Sequence, residues 1–181
     1  MPYEIICIGG PCGAGKDTLV EEITKVKPQL IRVPRYTNRP IKPGEKDKIN
    51  HIYLSEKEFA KLKRKGEINL VDNFYKYQYG VNIQSIDDLL RKNKRLIGIF
   101  GVCSLKLKEI FPKKTILIYV TADPEQLLER MRHRNDSEKE IWTRFEISQE
   151  RLEKEIGQFD YVVHNNTSVE TAVKKILKII A

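Results

Sequence analysis

The sequence contains few cysteines and no long apolar run. Its three cysteines, Cys7, Cys12 and Cys103, are scattered, form no metal-ligand spacing and suit reduced thiols better than a disulfide framework. No stretch approaches the roughly 20 apolar residues that a membrane-spanning helix needs. The N-terminal residues lack the basic region and long apolar stretch of a signal peptide. We therefore expect a cytoplasmic protein with no membrane partner and no thiolate metal site.

The chain is basic, with a formal net charge of +8 at pH 7. Such a charge suits nucleic acid, an acidic membrane surface or anionic small substrates. Many of the lysines fall on predicted helices, where a solvated face is ordinary, and no aromatic residues alternate with them as a single-strand stacking platform requires. Charge alone does not choose among these partners, but the missing aromatic residues lead us to expect no nucleic-acid partner. Binding to nucleic acid would show a steep salt dependence.

Strand and helix patterns alternate along the chain. Residues 3–8 have the pattern of a buried strand, and a Gly-rich turn and an amphipathic helix follow them. Further apolar, partly β-branched runs, separated by helical segments, occur at 96–100, 115–121 and 161–164. This alternation predicts an α/β fold in which helices cover a parallel sheet.

The turn after the first strand carries a phosphate-binding pattern. It matches G-x-x-x-x-G-K as Gly10-Pro11-Cys12-Gly13-Ala14-Gly15-Lys16. Glycines let backbone N–H groups surround phosphate oxygens, the helix N-terminus adds positive charge, and the lysine reaches the β- and γ-phosphates. A Gly-rich turn without a ligand is the alternative. We expect this loop, with Asp17 and Thr18, to bind ATP. We also expect the parallel sheet to be of the P-loop NTPase type.

Asp17 stands where the phosphate-loop pattern has Ser or Thr. An acidic residue can simply stabilise the first turn of a helix. A carboxylate beside a triphosphate would repel it unless a cation lay between them, and Mg²⁺ prefers oxygen ligands. We therefore predict that Asp17 binds Mg²⁺, directly or through water.

Two basic, polar stretches interrupt the alternation, at residues 32–82 and about 130–139. A kinase places its acceptor-binding insertion and its lid in such segments. We predict one domain over residues 1–181, with a core made of 1–31 and 83–181.

Further motifs make the chain resemble the guanylate kinase-like P-loop kinases over nearly its whole length. They are Arg35-Tyr36-Thr37-Asn38-Arg39-Pro40, Pro43-Gly44-Glu45 and Tyr79-Gly80. Within that group, residues 15–17, 35–40, 50–55 and 79–81 make it most similar to ribose 1,5-bisphosphokinases. The resemblance implies an ATP-dependent kinase that converts ribose 1,5-bisphosphate to phosphoribosyl diphosphate, with ADP as the other product. The alternatives are a guanylate kinase, another nucleoside or deoxynucleoside monophosphate kinase, or a catalytically silent binding module.

The resemblance also implies roles for individual residues. Those implied in catalysis are Lys16, Asp17, Arg130, Arg134 and Arg144. Those implied in acceptor binding are Arg35, Arg39, Lys42, His51 and Tyr79, although a basic residue in a polar loop is more often only solvated. The resemblance also implies that adenine contacts Asn165.

Departures from guanylate kinases fall on the acceptor site. The two carboxylates with which that family reads guanine correspond to Leu70 and Gly101, and neither side chain accepts a hydrogen bond. Asp72 lies on the same strand face as Leu70 and is the candidate to replace one carboxylate, which keeps guanylate kinase as the alternative. We predict that Arg132 and Arg151 only form ion pairs on helix surfaces.

Overall fold

The computed structural model describes residues 3–133 and 137–181. In chain order the elements are β1 (Ile5–Gly9), α1 (Lys16–Val26), β2 (Leu30–Arg32), β3 (Arg35–Thr37), β4 (His51–Tyr53), α2 (Glu56–Arg64), β5 (Leu70–Phe74), β6 (Tyr77–Val81), α3 (Ile83–Arg91), β7 (Arg95–Gly98), α4 (Cys103–Ile110), β8 (Thr115–Thr121), α5 (Pro124–Arg132), α6 (Glu138–Glu155), a 3-10 turn (Ile156–Gln158), β9 (Tyr161–His164) and α7 (Val169–Ile179).

The core is a five-stranded parallel sheet in the order β2-β7-β1-β8-β9. Strands β1 and β8 are buried along their whole length, as a parallel sheet covered on both faces requires. Side chains alternate between the two faces: Ile6 and Ile8 pack in the cluster that contains buried residues of α1 and α7, while Ile5 and Cys7 pack in the cluster that contains those of α3 and α4. The predicted α/β fold is confirmed. Strand β2 has only three residues, and the sequence pattern did not reveal it.

A second sheet, of four strands in the order β4-β3-β6-β5, lies between β2 and α3 in the chain. Strands β5 and β6 form an antiparallel hairpin, β3 pairs antiparallel with β6, and β3 and β4 are parallel. Helix α2 belongs to the same segment and begins at a capping box between Ser55 and Glu58. The predicted insertion begins at residue 32, but Arg32 itself pairs with the core strand β7. None of the described helices has the length and hydropathy of a membrane span.

Candidate active site

A single cleft connects the phosphate loop, at the carboxyl end of β1, with the second sheet. Open α/β sheets bind ligands at the carboxyl ends of their strands, and this cleft lies there. Its lining residues are Gly9, Gly10, Pro11, Cys12, Gly13, Gly15, Lys16, Asp17, Arg35, Arg39, Lys42, Glu45, His51, Asp72, Phe74, Tyr79, Ile99, Gly101, Tyr119, Arg144, Ser148, Arg151, Glu155 and Phe159.

The phosphate loop has the conformation that its glycines allow. Gly10 has a φ of +134°, and a Cβ there would lie 1.9 Å from the Val120 carbonyl oxygen, so only glycine fits. Lys16 lines the cleft and donates from Nζ to the Pro11 carbonyl at 2.6 Å. Three predicted ATP-binding residues stand apart from the lining: Ala14 and Asn165 are buried, and Thr18 is exposed.

Asn165 supports the phosphate loop from behind. Its side chain donates from Nδ2 to the Ala14 carbonyl at 3.0 Å, and the residue is only 3% exposed. Its own carbonyl accepts a hydrogen bond from Arg130 Nη2 at 2.8 Å. Asn165 thus supports the loop, and its predicted contact with adenine stays a prediction, because one hydrogen bond uses only one of the two N–H groups of the amide.

Asp17 lies in the first turn of α1 and faces the cleft. Its Oδ1 accepts hydrogen bonds from Arg32 Nη2 at 2.5 Å and from Asn50 Nδ2 at 3.2 Å. Burial raises the pKa of this carboxyl group, but the charge of Arg32 and the hydrogen bond from Asn50 outweigh burial and leave the pKa below its ordinary value. Asp17 is therefore ionised and joins the phosphate loop to the acceptor insertion.

The donor set beside the loop is compatible with Mg²⁺ held mainly by nucleotide oxygens. Among the described residues, no cluster of three or more His, Cys, Asp or Glu side chains could hold a metal on its own. Mg²⁺ in kinases commonly takes one or two carboxylates and completes its shell with phosphates and water. The ionised Asp17 side chain is 46% exposed and fits such a role, and its metal binding stays a prediction.

The predicted lid arginines occupy different places. Arg144, on α6, lines the cleft and donates from Nη2 to Cys12 Sγ at 3.5 Å. Burial raises the pKa of the Cys12 thiol, but the charges of Arg144 and Lys16 outweigh burial and leave the pKa below its ordinary value. Arg130 bonds to Gln126 and Asn165 and stands outside the cleft lining. Arg134 lies outside the described residues.

The second sheet brings the predicted acceptor-binding residues together on one wall of the cleft, facing the phosphate loop. They are Arg35, Arg39, Lys42, His51 and Tyr79. Arg39 donates from Nη2 to both carboxylate oxygens of Glu45, at 2.8 and 2.9 Å. Glu45 also accepts from the Lys42 backbone N–H at 2.8 Å, so one carboxylate fixes the shape of this loop.

Arg35 and His51 flank the ring of Tyr79. The Arg35 guanidinium carbon lies 4.5 Å from the ring centroid, and the His51 ring meets Tyr79 edge-on at 5.7 Å. Arg35 Nε and His51 Nδ1 are buried without a hydrogen-bond partner among the described residues. Burial and the nearby Arg35 charge lower the pKa of His51 to about 3, so the imidazole is neutral at physiological pH.

The far end of the cleft differs from the sequence prediction. Leu70 packs against the hydrophobic core, whereas Asp72 is 4% exposed and lines the cleft. Asp72 accepts hydrogen bonds from Arg151 Nη1 at 3.2 Å and Nη2 at 3.1 Å. The prediction that Arg151 forms only a helix-surface pair is therefore wrong, because its partner is a buried carboxylate. Arg132, in contrast, pairs with the exposed Glu138 as predicted.

Sequence reasoning also missed Glu155, a second carboxylate at this end. Burial raises its pKa, with a smaller opposing effect of Arg151. The signal in the sequence that could have pointed to Arg151 and Glu155 is their spacing along one helix. Arg144, Ser148, Arg151 and Glu155 follow one another at intervals of three or four residues, which puts them on one face of α6, and all four line the cleft.

Comparisons with known proteins agree with this architecture. A family model described as guanylate kinase matches residues 3–181. The guanylate kinase of Chlamydia muridarum is 32% identical over 167 residues, which cover 90% of this chain and 80% of that protein. The guanylate kinase of Caldanaerobacter subterraneus is 31% identical over 178 residues, which cover 97% and 85%. The crystal structure of guanylate kinase from Anaplasma phagocytophilum has a TM-score of 0.77 at 18% identity, over 99% of this chain and 85% of that one, and shows the same fold.

These relatives correct the predicted acceptor. The assignment as a ribose 1,5-bisphosphokinase is wrong, since the matching family model and both of these relatives are guanylate kinases. The prediction of an ATP-dependent kinase is confirmed by the same relatives. The chain belongs to the guanylate kinase family of ATP-dependent phosphotransferases.

Proposed function

We propose that the protein transfers the γ-phosphoryl group of ATP to GMP, with ADP and GDP as products. The observation that carries this proposal is the pair of carboxylates, Asp72 and Glu155, at the far end of the cleft. The Watson–Crick edge of guanine presents N1–H and a 2-amino group, which need acceptors when they leave water. A buried carboxylate supplies such acceptors, so Asp72 can take over the function that Leu70 and Gly101 cannot perform.

The walls around these carboxylates suit a purine ring. Phe74 lies against the Arg151 guanidinium, and Tyr119 and Phe159, whose rings meet edge-on at 5.0 Å between centroids, line the same cleft. Ligand pockets for flat organic groups commonly combine aromatic walls with a few polar groups that fix orientation. An acceptor made only of sugar and phosphate would have no use for this apolar surface.

The acceptor phosphate is assigned to the basic wall between the base and the phosphate loop. Arg35, Arg39 and Lys42 line that wall, and guanidinium groups bind phosphate oxygens in a bidentate manner. Tyr79 and the neutral His51 add hydrogen-bonding groups. A phosphate oxygen is already ionised at neutral pH and attacks without a general base, so these residues need only hold it in line with the γ-phosphorus.

The other reactant is assigned to the phosphate loop. Backbone N–H groups of residues 10–17 and the Lys16 ammonium surround the β- and γ-phosphates, while Arg144 neutralises charge that develops on the transferred group. Arg134 is proposed to act with Arg144, and Arg130 to support them through Asn165. Asp17 would hold Mg²⁺, which supplies charge neutralisation between the phosphates when it is bound.

This function is consistent with the names of the relatives, which are called guanylate kinases. The division into a core of 1–31 and 83–181, an insertion of 32–82 and a lid of about 130–139 is part of the proposal. So is the cytoplasmic location.

The test is a comparison of acceptors at equal ATP and Mg²⁺. We expect kcat/KM for GMP to exceed the values for AMP, CMP and dTMP by at least about a hundredfold, because unpaired polar groups in a buried site cost large factors. Protein carrying Lys16→Ala, purified in the same way, controls for contaminating kinases. A pyrimidine nucleotide or AMP as the best acceptor would overturn the proposal and leave the family assignment intact.

A further inference from the structure

We infer that the Arg151–Asp72 ion pair selects purines that carry an oxygen at position 6, with the Arg151 guanidinium donating to that oxygen. The inference rests on the proposed use of GMP and names the side chains that choose the base. Arg151 comes from α6 and Asp72 from β5, so the pair joins the core to the acceptor insertion at the far end of the cleft.

The orientation of Arg151 is fixed on three sides. Its two terminal nitrogens bond to the two oxygens of Asp72, and Nη2 also donates to the Asn73 carbonyl. The guanidinium carbon lies 5.0 Å from the centroid of the Phe74 ring. These bonds leave further N–H groups of the planar guanidinium for a ligand, and the side chain is 28% exposed while lining the cleft. A held, partly accessible donor of this kind is what selective recognition requires.

The Asp72 carboxylate is also kept available to a ligand. Its side chain is 3% exposed, and Arg151 uses one lone pair of each oxygen, so acceptor capacity remains. Gly101 makes room for this carboxylate in the cleft wall. A Cβ on Gly101 would lie 2.5 Å from Asp72 Oδ2 and 2.9 Å from Arg35 Nη1, and Gly101 has a φ of +58° that favours glycine. The Asp72 carboxylate thus occupies the space in which a side chain at position 101 would lie.

The paired charges present a donor beside an acceptor, and guanine presents the complementary edge. Its oxygen at position 6 accepts a hydrogen bond, and the adjacent N1–H and 2-amino groups donate. Placing the oxygen on Arg151 puts N1–H towards Asp72. Adenine has an amino group at position 6, which would direct its N–H groups against the guanidinium, so the same pair rejects it.

The alternative is that the pair only fastens α6 to β5. In that case its loss would weaken every acceptor equally. A second ion pair joins the same hairpin to the same helix: Lys76 Nζ lies 2.9 Å from Glu140 Oε1, and the two side chains are 53% and 35% exposed. Lys76→Met therefore breaks a connection between these elements at a surface site and serves as the matched control.

The experiment measures kcat/KM for three acceptors. GMP and IMP carry the oxygen at position 6, whereas 2-aminopurine riboside monophosphate lacks it and keeps the 2-amino group. Arg151→Met preserves much of the stem that packs on Phe74 and removes the donors. We expect it to lower kcat/KM by about a hundredfold for GMP and IMP, mainly through KM, and by less than about threefold for the 2-aminopurine nucleotide. Lys76→Met should leave the ratios between acceptors unchanged.

Arg151→Met leaves Asp72 buried without its partner, which can unfold the protein. The double variant Asp72→Asn/Arg151→Met removes both charges and keeps the shape of the Asp72 side chain. We expect it to retain a wild-type melting temperature within a few degrees while the preference for GMP over the 2-aminopurine nucleotide falls at least about tenfold. Unchanged acceptor ratios in either folded variant would overturn the inference and leave the proposed function standing. A wild-type protein that does not use GMP would instead overturn the proposed function.

Discussion

The two ends of the cleft are built in different ways. The phosphate-loop end comes from one continuous segment, residues 10–17, and offers mainly backbone N–H groups with Lys16. The far end is assembled from β5, the loop after β7 and α6, and offers the side chains of Asp72, Arg151 and Glu155. Backbone groups recognise what all nucleotides share, whereas placed side chains recognise one base. We therefore expect the first end to determine the reaction and the second to determine the acceptor.

The two ends of the cleft also differ in their charge. Cationic groups predominate between the loop and the basic wall, where Arg39, Arg144 and Lys16 face the space for phosphates. At the far end Asp72 and Arg151 form a charge-balanced pair, and burial raises the pKa of the Glu155 carboxyl group beside them. Excess positive charge attracts and stabilises any phosphate, while balanced charge discriminates by hydrogen-bond direction. Changes at the loop should accordingly lower turnover of every acceptor alike.

Lys16→Ala gives the largest expected effect. Loss of the ammonium that reaches the β- and γ-phosphates should lower kcat by about a thousandfold for every acceptor, because that charge stabilises the transition state. The melting temperature should change little, since Lys16 is not part of the hydrophobic core. Steady-state kinetics with each nucleotide check this, with Lys25→Ala, an exposed lysine paired with Glu22, as the control. Selective loss of one acceptor would break the comparison between the two ends.

Arg39→Ala should rank second and act on the acceptor side alone. We expect kcat/KM for the acceptor to fall about a hundredfold, while KM for ATP stays within about twofold. The loss is large because truncation of Arg39 also leaves Glu45, its partner in a hydrogen-bonded charge pair, without a guanidinium. Arg39→Lys should recover only part of the loss, since an ammonium cannot bind in a bidentate manner. Arg91→Ala, which breaks an exposed pair with Asp87, is the control. An equal rise in KM for ATP would contradict the assignment.

The sequence predicted the phosphate-loop end well because that end depends on local order. A strand, a glycine-rich turn and a lysine at the start of a helix must follow one another. Position 10 in particular requires glycine, because the Val120 carbonyl oxygen lies too close for a Cβ. Alternating strand and helix patterns likewise predicted the parallel sheet. The short strand β2 escaped because three residues carry too little periodicity.

The far end could not be predicted in the same way, because its residues meet only after folding. Position-by-position resemblance pointed to Leu70 and Gly101 and so favoured an acceptor without a base. The structure shows that Asp72 fills the space beside Gly101 and that Arg151 arrives from a helix nearly 80 residues further along the chain. The one-sided spacing of Arg144, Ser148, Arg151 and Glu155 was present in the sequence, but a helix face alone does not say which partner it meets.

Asp17→Asn should have a smaller effect, at least about tenfold on kcat, which corresponds to a barrier change of about 1.4 kcal/mol. The amide is a weaker ligand for Mg²⁺, so the Mg²⁺ concentration for half-maximal rate should rise. Arg32→Gln separates the two functions of Asp17, because it breaks their 2.5 Å ion pair and keeps the carboxylate. If Asp17→Asn lowered only the melting temperature and left the Mg²⁺ titration unmoved, Asp17 would be the partner of Arg32 and not a metal ligand.

The smallest expected effect concerns acid stability and arises on the cleft wall that faces the phosphate loop. His51 is 7% exposed beside Arg35, and burial and that charge lower its pKa to about 3, against 6.5 for an ordinary histidine. As pH falls from 7.0 to 5.8 the unfolded chain gains a proton at His51 while the native protein does not, so the native state loses stability. The loss at this residue is about 1 kcal/mol over that interval.

His51→Phe keeps an aromatic ring against Tyr53 and Tyr79 and should remove this part of the pH dependence, as urea unfolding at the two pH values would measure. His133→Gln, at an exposed position outside the cleft, should follow the wild type. An unchanged pH dependence in His51→Phe would mean that His51 takes up a proton in the native state, and the excess of positive charge assigned to the phosphate side of the cleft would then be wrong at this position.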